Sequence, residues 1–139
     1  LVSPPFAFDG MVVTRNVWES AEAGNIERLA AVFEKDPKSV DSHGGVYGWC
    51  PLSAALHANC LECVMLCLEK GSNPNLQNAD GDFYPAHWAL NADAAHALVK
   101  QGVDLTLKNR AGETPLEYAR RNKRDGVVEV FASASRVNA

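Results

Sequence analysis

Apolar residues recur along this chain at spacings of three and four, in pairs of short segments separated by polar turns. That spacing places the apolar side chains on one face of a helix. The segment between Pro51 and Gly71 is the clearest example and predicts two helices, because proline suits a first helical turn and glycine suits a helix end. Their inward stripes are Leu52, Ala55 and Leu56 in the first helix, and Leu61, Val64, Cys67 and Leu68 in the second.

The same order of loop, proline, helix, turn, helix and glycine returns twice. Its anchors are Pro51, Pro85 and Pro115, which lie 34 and then 30 positions apart. The middle copy lacks about three residues, and we expect the shortening near Asn91 to Asp93, in a tight turn between its helices. Residues 17–33 repeat the helix pair without a leading proline, and residues 112–131 close the series. Periodicity of this kind predicts a helical repeat solenoid.

These repeats resemble the ankyrin family over about residues 15–132. The tetrapeptide Thr-Pro-Leu-His that marks the family's first helix appears in degenerate form as Cys50-Pro51-Leu52-Ser53, Tyr84-Pro85-Ala86-His87 and Thr114-Pro115-Leu116-Glu117. The resemblance implies an all-α fold, a stack of ankyrin-type helix-turn-helix repeats, with about four repeats of which two are caps. We expect an extended segment at residues 1–14 and a polar tail at 133–139.

The resemblance also implies a concave binding face made by the loops before the first helices and by the helices themselves. Counting from each proline, we expect this face to bind a protein partner through Val46, Tyr47, Trp49, His57, Asp80, Phe83, Asn91, Arg110, Glu113, Arg121 and Asn122. Aromatic residues and arginine dominate binding hot spots. An alternative stays open, in which Trp49 and Phe83 fold back over neighbouring helices; on the first interpretation, Trp49→Ala spares the fold and weakens binding.

Composition narrows the function further. The 139 residues are 47% apolar and 22% charged with a formal net charge of -4, which is typical of a folded domain and gives nucleic acid no broad basic surface. No apolar run is long enough to insert into a membrane. Four cysteines, three of them within eight positions, favour an intracellular, cytoplasmic setting.

Two local patterns could suggest chemistry. His57, Cys60, Cys63 and Cys67 have spacings that invite a zinc hypothesis, but Cys63 and Cys67 replace buried aliphatic residues, so we expect core thiols and no metal site. Cys60, at the helix start, leaves a redox role open. No nucleophile elbow, metalloprotease helix or phosphate-binding loop occurs, and we predict no enzyme and no cofactor. We expect a structural hydrogen bond from His87.

A basic turn at Arg120, Arg121, Lys123 and Arg124 has two interpretations, a solvated end of the stack or a contact for an acidic patch on a partner. The sequence therefore predicts a protein-protein interaction module, a scaffold or adaptor. Two alternatives remain: an accessory structural subunit of a large multiprotein assembly, and a regulatory ankyrin domain of a larger protein.

Overall fold

The computed structural model describes residues 17–44 and 48–137, which form four successive helix pairs. Helix α1, described over residues 17–22, is followed by a series of α-helices and two short 3-10 helices. The helices are α2 (Ile26–Lys35), α3 (Pro51–His57), α4 (Leu61–Glu69), α5 (Ala92–Lys100), α6 (Pro115–Arg121) and α7 (Asp125–Val137), and the 3-10 helices are Pro37–Asp41 and Pro85–Trp88.

The pairs stack in two layers. In the inner layer, α3 packs on the Pro85–Trp88 helix, which packs on α6; in the outer layer, α2, α4, α5 and α7 pack in that order. No strand occurs among the described residues, where Gly44 and Trp49 form an isolated β-bridge. The predicted all-α repeat stack is confirmed.

Proline and glycine set the ends of these helices as predicted. Pro51, Pro85 and Pro115 each occupy the first helical turn of an inner helix, where a missing backbone N–H costs no hydrogen bond. Gly71 and Gly102 follow the outer helices with φ values of 97° and 79°, in the left-handed region that other residues avoid. The repeat boundaries therefore follow from local backbone chemistry.

The shortening of the third pair lies in its inner helix, and our prediction of a shortened turn is wrong. Residues 58–60, 89–91 and 122–124 make turns of equal length between the helices of three successive pairs. The third inner element instead has four residues in 3-10 form, against seven residues in α3 and in α6. A 3-10 helix rises further per residue than an α-helix, which recovers part of the missing length.

The core runs through all four pairs. Leu29, Leu52, Leu56, Leu98 and Phe131 are at most 1% exposed. Cys50, Cys63 and Cys67 lie in the same cluster, so the predicted core thiols are confirmed for Cys63 and Cys67. Burial raises the pKa of the Cys67 thiol, which keeps it protonated and apolar.

The ends of the chain bear on the expected domain limits. Helix α7 continues to Val137, past residue 132 where we placed the end of the repeats. The expected extended segment at residues 1–14 lies outside the described residues. No helix in the described part of the chain combines the length and apolar character that a membrane crossing requires.

Candidate partner-binding face

Most side chains at three repeated positions of the second, third and fourth pairs contact one another along the inner layer. Counted from the proline, these are the residue two before it, the residue three after it and the residue six after it. In the second pair they are Trp49, Ala54 and His57; in the third, Phe83, Trp88 and Asn91; in the fourth, Glu113, Tyr118 and Arg121. All but Ala54 and Asn91 join one continuous set of contacts.

The rings of this set form what we call the aromatic row: Trp49, His57, Trp88, Phe83 and Tyr118. Trp49 lies 4.7 Å from His57 and 5.3 Å from Trp88, measured between ring centroids. Phe83 continues the row, 4.7 Å from Trp88 and 5.2 Å from Tyr118. These separations and tilted planes are the favourable geometry for aromatic pairs. The row therefore crosses the second, third and fourth pairs without a break.

Exposure differs along the row. Trp49 is only 8% exposed, so the structure supports the interpretation in which its ring folds back on neighbouring helices. The expectation that Trp49→Ala spares the fold is therefore wrong, because the substitution removes a buried ring. Phe83, Trp88 and Tyr118 are half-buried, and His57 is exposed. A partner can thus reach His57 directly and the other three rings in part.

A charged pair closes the row at the fourth repeat. Arg121 donates to Glu113, with 2.5 Å between Nε and Oε2, and its guanidinium lies 5.1 Å from the centre of the Tyr118 ring. The hydrogen bond from Arg121 lowers the pKa of the Glu113 carboxyl below its ordinary value. Because Arg121 is 60% exposed at its side chain, this end of the row presents a solvated cation beside an aromatic ring.

Asp80 and Arg110 lie together in the loops before the inner helices, apart from the row. The Arg110 guanidinium donates to the Asp80 carbonyl oxygen, and the Arg110 backbone N–H donates to Asp82 Oδ1 at 2.7 Å. Asp80 and Arg110 are both exposed. These bonds tie the third loop to the fourth, which fixes the spacing between them.

The remaining predicted residues do not join the row. Asn91 caps α5, its Oδ1 accepting from Ala94 N–H at 2.9 Å, because the short inner helix carries this position to the turn. Asn122 donates from its side chain to the Tyr118 carbonyl oxygen and ends α6. Val46 and Tyr47 lie outside the described residues.

The basic turn is partly used inside the molecule. Arg124 Nη1 donates to the carbonyl oxygens of His87 at 2.8 Å and Ala89 at 3.3 Å. It thus satisfies backbone groups at the end of the short 3-10 helix, and burial lowers its pKa below the ordinary arginine value. Arg120 and Lys123 remain exposed. With Arg121 paired to Glu113, the turn offers less free charge to an acidic partner than its sequence suggests.

His87 makes the structural hydrogen bonds that we predicted. Its Nδ1 accepts from Tyr84 N–H at 3.1 Å, which leaves the proton on Nε2 for the Glu113 carbonyl oxygen at 2.9 Å. Burial lowers the His87 pKa, so the ring is neutral in this arrangement. The neutral ring joins the third pair to the loop of the fourth.

Sequence reasoning missed Trp88 and Tyr118. Both follow their proline by three positions, so they occupy the same place in successive repeats. Large rings at one repeat position can contact each other across the stack, and this signal would have placed them beside Phe83. The role of Arg124 had no such signal, since its acceptors are backbone atoms 35 and 37 residues away.

The face holds rings, one ion pair and backbone-bound loops. The only titratable groups in the row proper are His57 and Tyr118, and Glu113 is already occupied by Arg121. Within the described ranges, no three His, Cys, Asp or Glu side chains are grouped so that they could hold a metal ion. The arrangement is therefore suited to recognition through stacking, apolar contact and a terminal cation.

Comparisons with known proteins agree with this architecture. The sequence model for ankyrin repeats in many copies matches residues 52–92, which span the second pair and the start of the third. An ankyrin repeat protein of Rickettsia felis is 30% identical over 131 aligned residues, covering 84% of this chain. The chain spans about half the length of that relative, 54% of it.

Proposed function

Since the chain is built of ankyrin repeats, which generally serve as protein-protein interaction modules, we propose that it holds a protein partner through the aromatic row and its terminal Arg121. The observation that supports this most is the unbroken contact from His57 to Arg121 across three repeats. Such a row can lie along an extended or helical segment of a partner and contact it at several points.

The residue types favour binding energy at this face. Tryptophan, tyrosine and arginine provide most hot spots, because large rigid groups bury area at little cost in side-chain entropy. Here the rings are held by each other and the loops by Arg110, so little further ordering accompanies binding. The proposed role is binding alone, as a scaffold or adaptor inside the cell, a setting that the four free cysteines favour.

The test uses substitutions that leave the core intact. A photo-crosslinking amino acid at exposed His57 should capture a protein partner from cells that express the chain. Arg121→Glu should weaken that complex by about 30-fold or more, the loss typical of a hot-spot residue. Once the captured partner has been purified, its affinity for each variant is measured, for example by calorimetry.

Lys100→Glu provides the matched control, because Lys100 is exposed on outer helix α5 and this substitution also reverses a charge. It should leave the affinity unchanged. Equal affinities for wild type and Arg121→Glu, with a loss for Lys100→Glu, would place the contact on the outer layer and end the proposal. A stoichiometric partner that survives purification would favour an accessory subunit role.

A further inference from the structure

We propose that Cys60 and Cys63 are a dithiol modification site, which a small-molecule disulfide such as oxidised glutathione converts to an intramolecular disulfide. This inference is independent of the proposed partner-binding function. It rests on the contacts, exposure and backbone of the two residues at the start of α4.

Cys60 and Cys63 lie next to each other at the start of α4. Cys60 is the N-cap of α4, and its Sγ accepts from the Cys63 backbone N–H at 3.3 Å. Residues three apart at a helix start share one side, with Cβ atoms about 5 to 6 Å apart. A disulfide needs about 3.5 to 4.5 Å, so a small movement is sufficient.

The backbone permits that movement. Cys60 has φ of -101° and ψ of 95°, outside the helix, so its side chain can rotate toward Cys63 while α4 stays formed. Gly24 lies next to the Cys60 sulfur and has no side chain to cover it. A Cβ atom at Gly24 would lie 3.7 Å from that sulfur. The sulfur is 3.9 Å from the Gly24 carbonyl oxygen.

Exposure assigns different roles to the two thiols. Cys60 is partly exposed, whereas Cys63 is 0% exposed, as is Cys67, and Cys50 is 1% exposed. An external disulfide can therefore reach Cys60 and none of the other three. Burial and the adjacent Cys60 thiol raise the pKa of Cys63 to about 12, so Cys63 stays protonated and does not react with a disulfide in solution.

The chemistry balances in two exchanges. The Cys60 thiolate attacks one sulfur of oxidised glutathione, the glutathione S–S bond breaks, and one glutathione thiolate leaves and takes up a proton. The Cys63 thiol then gives its proton to the departing glutathione sulfur as its own sulfur attacks the Cys60 sulfur of the mixed disulfide. The second glutathione leaves as a thiol. The protein is oxidised by two electrons and oxidised glutathione is reduced to two glutathione molecules.

The experiment incubates the purified chain with oxidised glutathione and counts free thiols under denaturing conditions. We expect the count to fall from four to two, and the thiol count to recover on addition of excess reduced glutathione. Proteolysis after Glu62, which lies between the two cysteines, should yield two peptides that stay joined until they are reduced.

Cys60→Ser is the matched control, because a serine oxygen can replace the sulfur as helix cap while removing the reactive thiol. It should keep the remaining three thiols free under the same treatment. Cys67→Ala should still form the linked peptides. The proposal is overturned if glutathione stays attached to Cys60, if no thiol is lost, or if tandem mass spectrometry places an end of the peptide-linking disulfide on Cys50 or Cys67.

Discussion

Trp49 illustrates how surroundings in a neighbouring repeat decide the role of one side chain. The sequence predicted the position of Trp49 before the inner helix, but it did not predict how much of the ring is exposed. The ring is covered because Trp88 reaches it from the next pair at 5.3 Å and His57 covers it from its own pair at 4.7 Å. The register of the repeats predicts which positions meet, whereas burial depends on the size of the rings that occupy them.

We therefore expect Trp49→Ala to lower the free energy of unfolding by roughly 3 to 5 kcal/mol, the usual cost of removing a buried large ring. Urea denaturation followed by circular dichroism measures this. Trp49→Phe, which keeps a ring against Trp88, should lose much less. An unfolding midpoint of Trp49→Ala equal to that of the wild type would mean that the ring is not packed as described.

At the scale of the element, the third inner helix is the exception. Proline, glycine and apolar spacing located every helix pair, since each acts through the local backbone. They did not predict that the Pro85–Trp88 helix would be of 3-10 type with three residues fewer than α3. That outcome depends on distant groups: Arg124 bonds to the carbonyl oxygens at its end, and Tyr118 and Phe83 pack beside Trp88.

Arg124→Ala should destabilise the chain by about 1.5 to 3 kcal/mol, the range for hydrogen bonds to a charged group. Hydrogen exchange, measured by mass spectrometry, should become faster first in the peptide that contains Pro85–Trp88. Arg120→Ala removes an exposed arginine from the same turn and should change neither quantity. Equal exchange in both variants would rule out the proposed support by Arg124.

The capping residues show the same division between local and distant causes. Thr114 and Glu117 form a capping box at α6, in which a threonine N-cap is followed three residues later by glutamate. At α3, Cys50 replaces threonine and gives no side-chain cap bond; its thiol instead lies 3.4 Å from Ser53 Oγ. Thr114→Ala should therefore cost about 0.5 to 2 kcal/mol in a urea titration. Thr114→Ser should retain nearly full stability, and an equal loss in both variants would contradict the cap.

At the scale of the whole molecule, His87 makes stability depend on pH. Its folded pKa lies below the ordinary value of 6.5, so below about pH 6.5 the unfolded chain binds a proton that the folded chain does not. Protonation at Nδ1 would also place a second N–H donor opposite the Tyr84 N–H, so the hydrogen bond between them would be lost. The free energy of unfolding should thus be fully retained above pH 6.5 and should fall as pH decreases through the lowered pKa.

Urea denaturation at several pH values between about 7 and 5 measures this slope. His87→Gln should be less stable at neutral pH but should lose most of the dependence on pH in that window. His96→Gln, at an exposed position on α5, should keep the wild-type slope. Parallel curves for wild type and His87→Gln would assign the dependence to other groups.

The backbone bonds of Arg124 also bear on how the chain is made. During synthesis the ribosome releases Pro85–Trp88 well before Arg124, so this short segment emerges without the guanidinium that binds its carbonyl oxygens. The third pair therefore gains these two hydrogen bonds only after Arg124 of the fourth pair has emerged. We expect a nascent chain that is stalled before residue 124 to hold Pro85–Trp88 less stably than the finished chain does.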